Sequence, residues 1–244
     1  VYYGDHDSGF SVSSAGDVNN DGYDDFLIGS PLSSPNGTQQ AGEAYLIFGS
    51  QTINASGLSF ELSSLGNNNS AGVVFRGINA GDQLGYDESA AGDVTDEGYD
   101  DFMISAINAG VGGQVYLVYG GETVGFGGEF NVSLLASGDG SLGVAINAAA
   151  AGPTIGRSLS TVGDVDGNGV ADILVGSNGA DPHGPNSGSS YLLLLDARPT
   201  PAPTDEPTTP QPTEWPSPSP TAMPVPVPSP VPTPLPTPSS YPLV

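Results

Sequence analysis

The sequence predicts an all-β fold made of repeated four-stranded units, followed by an extended proline-rich tail. Three segments beginning at Gly9, Gly85 and Gly156 align without a gap, and each contains an acidic loop followed by an apolar run. The first aspartates of the loops, which are 76 and 71 residues apart, are Asp17, Asp93 and Asp164. This spacing leaves room for about four short strands in each unit. Eighteen of the 23 prolines lie from Pro199 onward, which marks the tail.

The strands are predicted from short apolar runs that are rich in Val, Ile, Phe and Tyr and are bounded by Gly, Asn and Asp. Each copy continues to a second apolar strand, at residues 44–49, 115–120 and 190–195. Residues 144–151 could suggest a helix, but they end in Gly152-Pro153 and align with residues 73–80, so both are interpreted as a strand plus a turn. Four-stranded units that cannot each bury a face alone predict a propeller or another array of stacked sheets.

The charge is strongly acidic, since 27 acidic residues face three arginines and no lysine, with a net charge of −24. Nucleic acid is therefore excluded as a partner class. Bound divalent cations would neutralise such an excess, whereas the alternative is a solvated acidic surface. The absence of cysteine excludes disulfides and thiolate metal sites. No apolar run approaches the roughly 20 residues of a membrane-spanning helix.

Three nine-residue loops carry the predicted metal chemistry, because oxygen-bearing side chains occupy positions 1, 3, 5 and 9 and a backbone carbonyl is available at position 7. The predicted ligands are Asp17, Asn19, Asp21, Tyr23 and Asp25; Asp93, Thr95, Glu97, Tyr99 and Asp101; and Asp164, Asp166, Asn168, Val170 and Asp172. An all-oxygen set with irregular geometry favours Ca²⁺, with up to three ions. Thr95 and Glu97 depart from the pattern, so the second site is expected to be the weakest.

Two alternatives compete with this interpretation. An EF-hand shares positions 1, 3, 5 and the glycine at position 6, but it needs a glutamate at position 12 between two helices. Position 12 is Ile28, Ile104 and Val175, each within an apolar strand run, so the EF-hand fails in all three copies. An acidic Asx-turn without metal remains open for each loop.

These residues resemble the FG-GAP repeats that form the seven-bladed β-propeller of integrin α chains. The resemblance covers about residues 4–196 and depends on Gly9-Phe10, on Gly29-Ser30-Pro31 and on the GDVNNDGYDD core between them. It implies calcium held between blade strands by the ligands named above. Three repeats do not fill a seven-bladed ring, and the opening residues 1–4 look like the final strand of a preceding unit. The sequence therefore indicates either that upstream blades are missing or that the units pack against other chains.

Residues 1–198 are predicted to form the calcium-binding repeats and residues 199–244 an extended tail. From Met223 to Pro238 every second residue is proline, which favours polyproline II. The tail resembles hydroxyproline-rich glycoproteins, with a flexible linker or an aromatic-groove ligand as alternatives. Four N-glycosylation sequons favour an extracellular location, on the cell surface or in a matrix or wall: Asn36, Asn54, Asn68 and Asn131.

No catalytic constellation is visible, and the two histidines, His6 and His183, lie in loops rich in Gly, Asp and Pro. The sequence therefore predicts a protein that is not an enzyme. The leading hypothesis is a secreted structural or adhesive glycoprotein, such as a subunit of a matrix or cell-surface filament, with calcium, glycans and other chains of the same assembly as partners. The alternative is an integrin-α-like propeller that binds a protein or carbohydrate ligand and uses the tail as a stalk. A propeller attached to a separate enzyme is a third hypothesis.

Overall fold

The computed structural model describes residues 2–4, 7–51, 53, 60–65, 71–122, 124, 128–137, 140–149, 154–184 and 187–196. The predicted polyproline II tail and the predicted boundary at residue 198 lie outside these residues. The strands are β1 Tyr2–Tyr3, β2 Val12–Gly16, β3 Asp25–Ser30, β4 Glu43–Ile47, β5 Phe60–Glu61, β6 Gly72–Arg76, β7 Leu84–Gly92, β8 Asp101–Ala106, β9 Gln114–Val118, β10 Glu129–Asn131, β11 Gly143–Asn147, β12 Ser158–Gly163, β13 Asp172–Ser177 and β14 Ser189–Leu193. A short helix, α1, spans Ser133–Ser137, and two 3-10 turns span Pro35–Gly37 and Leu62–Ser64. None of the helices among the described residues is long and apolar enough to cross a membrane.

The strands form three consecutive antiparallel blades, as the sequence repeats predict. Blade 1 has the order β2-β3-β4-β6, blade 2 the order β7-β8-β9-β11, and blade 3 the order β12-β13-β14 within its described part. The stretch at residues 144–151 and its aligned counterpart at residues 73–80 contain strands β11 and β6, so the prediction of strands is confirmed, although residues 150 and 151 lie outside the described part. The all-β fold is that of β-propeller blades, with the inner strands β2, β7 and β12 packed side by side.

The blades stack face to face through two apolar cores, because successive side chains of a strand point to opposite faces. On β8, Phe102 and Ile104 lie in the core between blades 1 and 2. Met103 lies between them in sequence and packs into the core shared by blades 2 and 3. Blade 2 is therefore buried on both faces, which explains why the central residues of β8 (102–104) and β9 (115–118) are continuously apolar rather than alternating.

Two short parallel pairings were not predicted. Strand β10 pairs with the outer strand β6 of blade 1, with Phe130 opposite Phe75. Strand β1 pairs with β5 in the same way, with Tyr2 opposite Phe60. The opening segment therefore pairs in the manner of an outer strand such as β6.

Contacts between equivalent residues connect the inner strands of all three blades. The rings of Phe10 and Tyr86 lie 5.0 Å apart, and the Arg157 guanidinium lies 5.0 Å from the centre of the Tyr86 ring. Asp87 of blade 2 accepts hydrogen bonds from Ser11 Oγ of blade 1 at 3.0 Å and from the Leu159 backbone N–H of blade 3 at 2.7 Å. A single carboxylate thus joins three blades.

Candidate metal centre

Each acidic loop connects the inner strand of a blade to its second strand. The loops follow β2, β7 and β12, and the aspartate at position 9 is the first residue of β3, β8 or β13. The residue at position 12 lies inside the second strand in every copy. An EF-hand has a helix at this place, whereas each copy has a strand. The loops are therefore not EF-hands.

The aspartate at position 1 closes the loop by accepting backbone N–H groups. Asp17 accepts the N–H of Asp21 at Oδ1, at 3.0 Å, and the N–H of Gly22 at Oδ2, at 2.9 Å. Asp93 and Asp164 accept the N–H groups at positions 5 and 6 of their own loops in the same way. The backbone N–H of Gly169 and its neighbours lowers the pKa of Asp164, because hydrogen bonds to the ionised form stabilise it. The same hydrogen bonds close all three loops, an arrangement that suits both a cation site and a metal-free turn.

The glycine at position 6 is required by the backbone. Gly22, Gly98 and Gly169 have φ values of +91°, +86° and +92°. In this left-handed region any residue with a Cβ is strained. Position 4 is also left-handed, at Asn20 with φ +55° and Asp96 with φ +56°. Asparagine and aspartate tolerate this conformation better than most residues, so the sequence is consistent with the loop at both points.

The aspartate at position 9 is fully buried and joins the loop to the third strand of its blade. Asp25 accepts the Val18 N–H at Oδ2, at 3.0 Å, and the Gly49 N–H at Oδ1, at 2.8 Å. Asp101 and Asp172 make the same pair of bonds in their own blades. This structural role was missed by sequence reasoning, although an acidic residue at the start of each apolar strand was a visible signal.

Burial raises the pKa of Asp25 to about 6, and the nearby charges of Asp21 and Asp17 add to that effect. The two N–H groups that Asp25 accepts oppose the rise. A buried carboxylate facing two further carboxylates is an arrangement that a divalent cation would stabilise.

Three acidic side chains converge in the third loop. One oxygen from each of Asp164, Asp166 and Asp172 lies within 4.8 Å of the others. Among the described residues, this is the group of acidic side chains close enough together to hold a metal ion. Hard carboxylate oxygens at this separation fit Ca²⁺, whose ligands lie about 2.3–2.6 Å from the ion. Asn168, the predicted ligand at position 5, donates its side-chain N–H to the Leu195 carbonyl at 2.7 Å. Asn168 Oδ1 accepts the N–H of Val170 at 2.8 Å, so this side chain also stabilises the turn.

The other predicted ligands occupy the same loops with differing contacts. In the first loop, Asn19 Oδ1 accepts the Asp21 N–H at 3.0 Å. In the second, the Thr95 hydroxyl donates to Asp93 Oδ1 at 3.3 Å, and Thr95 is buried. The residues at position 7, which would offer a backbone carbonyl, are Tyr23, Tyr99 and Val170. The assignment of individual ligands stays a prediction.

The first loop is also bonded to the neighbouring blade. The Asp17 N–H donates to Asp100 Oδ2 at 2.9 Å, the Asp100 N–H returns to the Asp17 carbonyl at 3.1 Å, and the Gly121 N–H donates to the Val18 carbonyl at 2.8 Å. In the next interface the residue equivalent to Asp100 is Ala171. The first loop therefore lies at the junction of blades 1 and 2 and is held there by a carboxylate, whereas Ala171 offers no carboxylate to the second loop.

The remaining predicted residues divide between described and undescribed parts of the chain. The sequon asparagines Asn36 and Asn131 are exposed, whereas Asn54 and Asn68 lie outside the described residues. His183 is exposed in a loop, and His6 is not among the described residues. Glycan attachment stays a prediction for all four asparagines.

Comparison with known proteins connects these features to a family. The FG-GAP repeat family matches residues 8–47 and 155–193, which contain the first and third loops. Integrin alpha-4 of Xenopus laevis is 30% identical over 164 residues, covering 67% of this chain and 14% of that protein. Integrin alpha-PS5 of Drosophila melanogaster is 29% identical over 175 residues, covering 71% of this chain and 15% of that protein.

The chain thus spans about one seventh of the length of these relatives. The second repeat lies outside the two matched regions, but its strands, its loop and its position-9 aspartate have the same arrangement as those of the other two. The sequence repeats, the strand order of the blades and the acidic loops all agree with the similarity to integrin α chains. This chain is an FG-GAP repeat protein with an integrin-α-like β-propeller architecture.

Proposed function

We propose that this chain is an extracellular adhesive or structural glycoprotein whose propeller blades are stiffened by calcium in the three acidic loops. The observation that carries the proposal is the convergence of Asp164, Asp166 and Asp172 in the third loop. The similarity to integrin α chains supports a role in adhesion through a protein partner.

The residues that would hold the ion are the side chains at positions 1, 3, 5 and 9 and the carbonyl at position 7. A bound Ca²⁺ would neutralise the converging carboxylates. Their mutual repulsion otherwise opposes the closed loop, so the ion would stabilise the strand connections. Because the position-9 aspartate also binds the backbone after the third strand, ordering one loop would order three strands of the blade.

The test is a calcium titration of the thermal unfolding of the whole chain, compared with the double variant Asp164→Asn plus Asp166→Asn. Saturation of one site at about 100 times its dissociation constant stabilises the folded state by about 2.7 kcal/mol. We expect the variant to lose about one third of the total calcium-dependent rise in melting temperature. The control variant Asp181→Asn changes an exposed carboxylate outside the loops and should keep the full rise.

A second readout uses terbium, which replaces calcium and is excited through nearby tyrosines. Position 7 is Tyr23 in the first loop and Tyr99 in the second, but Val170 in the third. We expect sensitised emission that persists in the Asp164→Asn plus Asp166→Asn variant and falls in Asp17→Asn. No emission and no calcium-dependent stability in the wild type would leave the loops as metal-free turns and refute the proposal.

The extracellular location is supported by the four sequons, of which Asn36 and Asn131 are exposed. Expression through the secretory pathway of a eukaryotic cell, followed by enzymatic removal of N-glycans, should lower the apparent mass of the protein. Asn36→Gln and Asn131→Gln should each remove part of that change. A secreted protein with no change in mass would contradict the glycoprotein assignment without affecting the calcium proposal.

A further inference from the structure

Three asparagines of the chain are followed directly by glycine: Asn36, Asn168 and Asn178. An asparagine loses its side-chain amide spontaneously when the backbone nitrogen of the next residue attacks its Cγ. Glycine permits this attack best, because it has no Cβ in the way and its backbone adopts the widest range of conformations. The order of residues alone makes all three asparagines reactive, but their surroundings in the fold differ.

The reaction is spontaneous deamidation, and its co-reactant is water. The backbone nitrogen forms a bond to Cγ, the bond from Cγ to Nδ2 breaks, and the amide leaves as ammonia with the proton of the attacking N–H. Water then opens the resulting cyclic imide at either carbonyl and gives aspartate or isoaspartate, and no group is oxidised or reduced. Before the attack, the side chain and the next N–H must be released from their hydrogen bonds.

Asn168 is held on both sides of this reaction. Its Oδ1 accepts the Val170 N–H at 2.8 Å, and its Nδ2 donates to the Leu195 carbonyl at 2.7 Å. The nitrogen that would attack, that of Gly169, donates its proton to Asp164 Oδ2 at 2.8 Å. A hydrogen bond to a charged acceptor is roughly twice as strong as a neutral one. The third loop therefore has to open before Asn168 can react.

Asn36 and Asn178 are exposed, and no hydrogen bond of either side chain is found within the described residues. The Gly37 N–H donates to the Ser34 carbonyl at 3.1 Å, which is a neutral bond in a three-residue 3-10 turn. A Cβ on Gly37 would meet nothing within 4 Å, so the turn has open space around it. Asn178 lies in a turn closed by the Ala180 N–H through a bond of 3.4 Å. Exposed turns with few contacts open at little cost in free energy.

We propose that Asn36 and Asn178 deamidate in the folded protein, while the third loop protects Asn168. Each event replaces a neutral amide by a carboxylate and adds one negative charge. At Asn36 the charge enters a loop, residues 31–42, that contains no charged residue. Isoaspartate also adds a methylene group to the backbone, which changes the turn at its centre.

Asn36 is also a sequon asparagine, so two modifications compete for its Nδ2. A glycan attached to Nδ2 removes ammonia as the leaving group, and loss of the amide removes the acceptor of the glycan. Asn178 is followed by Gly179-Ala180, which is not a sequon. If the glycosylation proposed above occurs, it protects Asn36 and leaves Asn178 reactive.

Peptide mapping of the whole chain by mass spectrometry, during incubation at neutral pH and constant calcium, measures the three rates side by side. We expect Asn36 and Asn178 each to react at least about tenfold faster than Asn168, which corresponds to about 1.36 kcal/mol of additional opening free energy. In urea that unfolds the chain, the three rates should converge, because all three asparagines precede glycine. An Asn168 that reacts as fast as the other two in the folded protein would overturn the proposal, as would an Asn168 that stays slow in urea.

Isoelectric focusing of the intact protein gives an independent readout. The aged wild type should develop more acidic bands, and Asn36→Gln plus Asn178→Gln should prevent them, because glutamine forms a larger ring and reacts more slowly. Asn147→Gln is the matched control, since Asn147 is exposed but precedes alanine, and it should keep the bands. Acidic bands that form equally fast in the double variant would contradict the assignment.

Protein secreted from a eukaryotic cell tests the competition at Asn36. In molecules that carry a glycan there, Asn36 should stay unreacted while Asn178 deamidates at the rate found without glycans. Equal deamidation of Asn36 in glycosylated and unglycosylated molecules would refute the competition. A secreted protein without glycans would contradict the proposed glycosylation, and both asparagines should then still react faster than Asn168.

Discussion

Glu88 makes the junction between blades 1 and 2 sensitive to pH. The residue is 4% exposed, and neither carboxylate oxygen has a hydrogen-bond partner among the described residues. A Cβ on Gly29 of blade 1 would lie 2.2 Å from Glu88 Oε1, so the carboxyl group contacts the neighbouring blade directly. Ser11 lies near enough to favour the ionised form, but its hydroxyl donates to Asp87.

Burial raises the pKa of Glu88 to about 7 from an ordinary value of 4.5, and the charge of Asp87 adds to the rise. At about 1.36 kcal/mol for each tenfold change in proton affinity, this difference corresponds to about 3 kcal/mol. A carboxyl group whose pKa is higher in the folded state favours folding while it is protonated. Its contribution is therefore complete below about pH 4.5 and is lost as the pH rises to about 7.

The perturbation is Glu88→Gln, which keeps the shape of the side chain and removes its ionisation. We expect the variant to match the wild type near about pH 4.5 and to exceed it in free energy of unfolding by up to about 3 kcal/mol near about pH 8. Urea unfolding across this range, at constant calcium, is the assay. Asp25 titrates in the same range because of its raised pKa, but it is present in both proteins and cancels in the comparison.

Glu122→Gln is the control, because Glu122 is exposed. It should leave the pH dependence unchanged. Glu88→Leu provides a second comparison, since the equivalent residue of blade 3 is Leu159 and is buried. A Glu88→Gln protein that loses stability in parallel with the wild type between about pH 4.5 and 8 would refute the reasoning.

The remaining predictions concern single contacts and are each checked by urea unfolding. Asp101→Asn should lower the free energy of unfolding by about 3 kcal/mol, because it weakens two hydrogen bonds to a charged, buried acceptor. Gly29→Ala should be more destabilising than Gly22→Ala: the first Cβ meets Glu88 Oε1 at 2.2 Å, whereas the second meets no atom within 4 Å and adds only backbone strain of about 1 kcal/mol. Arg157→Ala should cost about 1 kcal/mol through loss of its contact with the aromatic ring, and equal stability of the two proteins would contradict that contact.

Repeated local patterns explain what the sequence could predict. The strands containing Ile28, Ile104 and Val175 follow from short apolar runs, and their placement after acidic loops follows from the alignment of the copies. Positions 4 and 6 of each loop have a left-handed backbone, and the sequence has glycine, asparagine or aspartate at these positions. Both features are local, so neither requires knowledge of how the blades pack.

The features that depend on packing could not be predicted in this way. Strand β10 has three residues, too few to show a period, and its parallel pairing with β6 is fixed by the burial of Phe130 against Phe75. The buried state of Glu88 is similar, because a carboxylate in a strand normally indicates a solvent-facing position. Its signal was the alignment itself, which places valine and leucine at the equivalent positions.

The contacts between blades also affect how the departures at Thr95 and Glu97 in the second loop are interpreted. Thr95 and Glu97 predict weaker metal binding, yet the loop is held by the same position-1 and position-9 bonds as the others. What it lacks is the bond to the next blade, since Ala171 stands where Asp100 accepts the first loop's N–H. A cation in the first loop would therefore act on a bridge between two blades, whereas a cation in the second would act within one blade. Loss of the first site should loosen the junction between blades 1 and 2 more than loss of the second loosens the next junction.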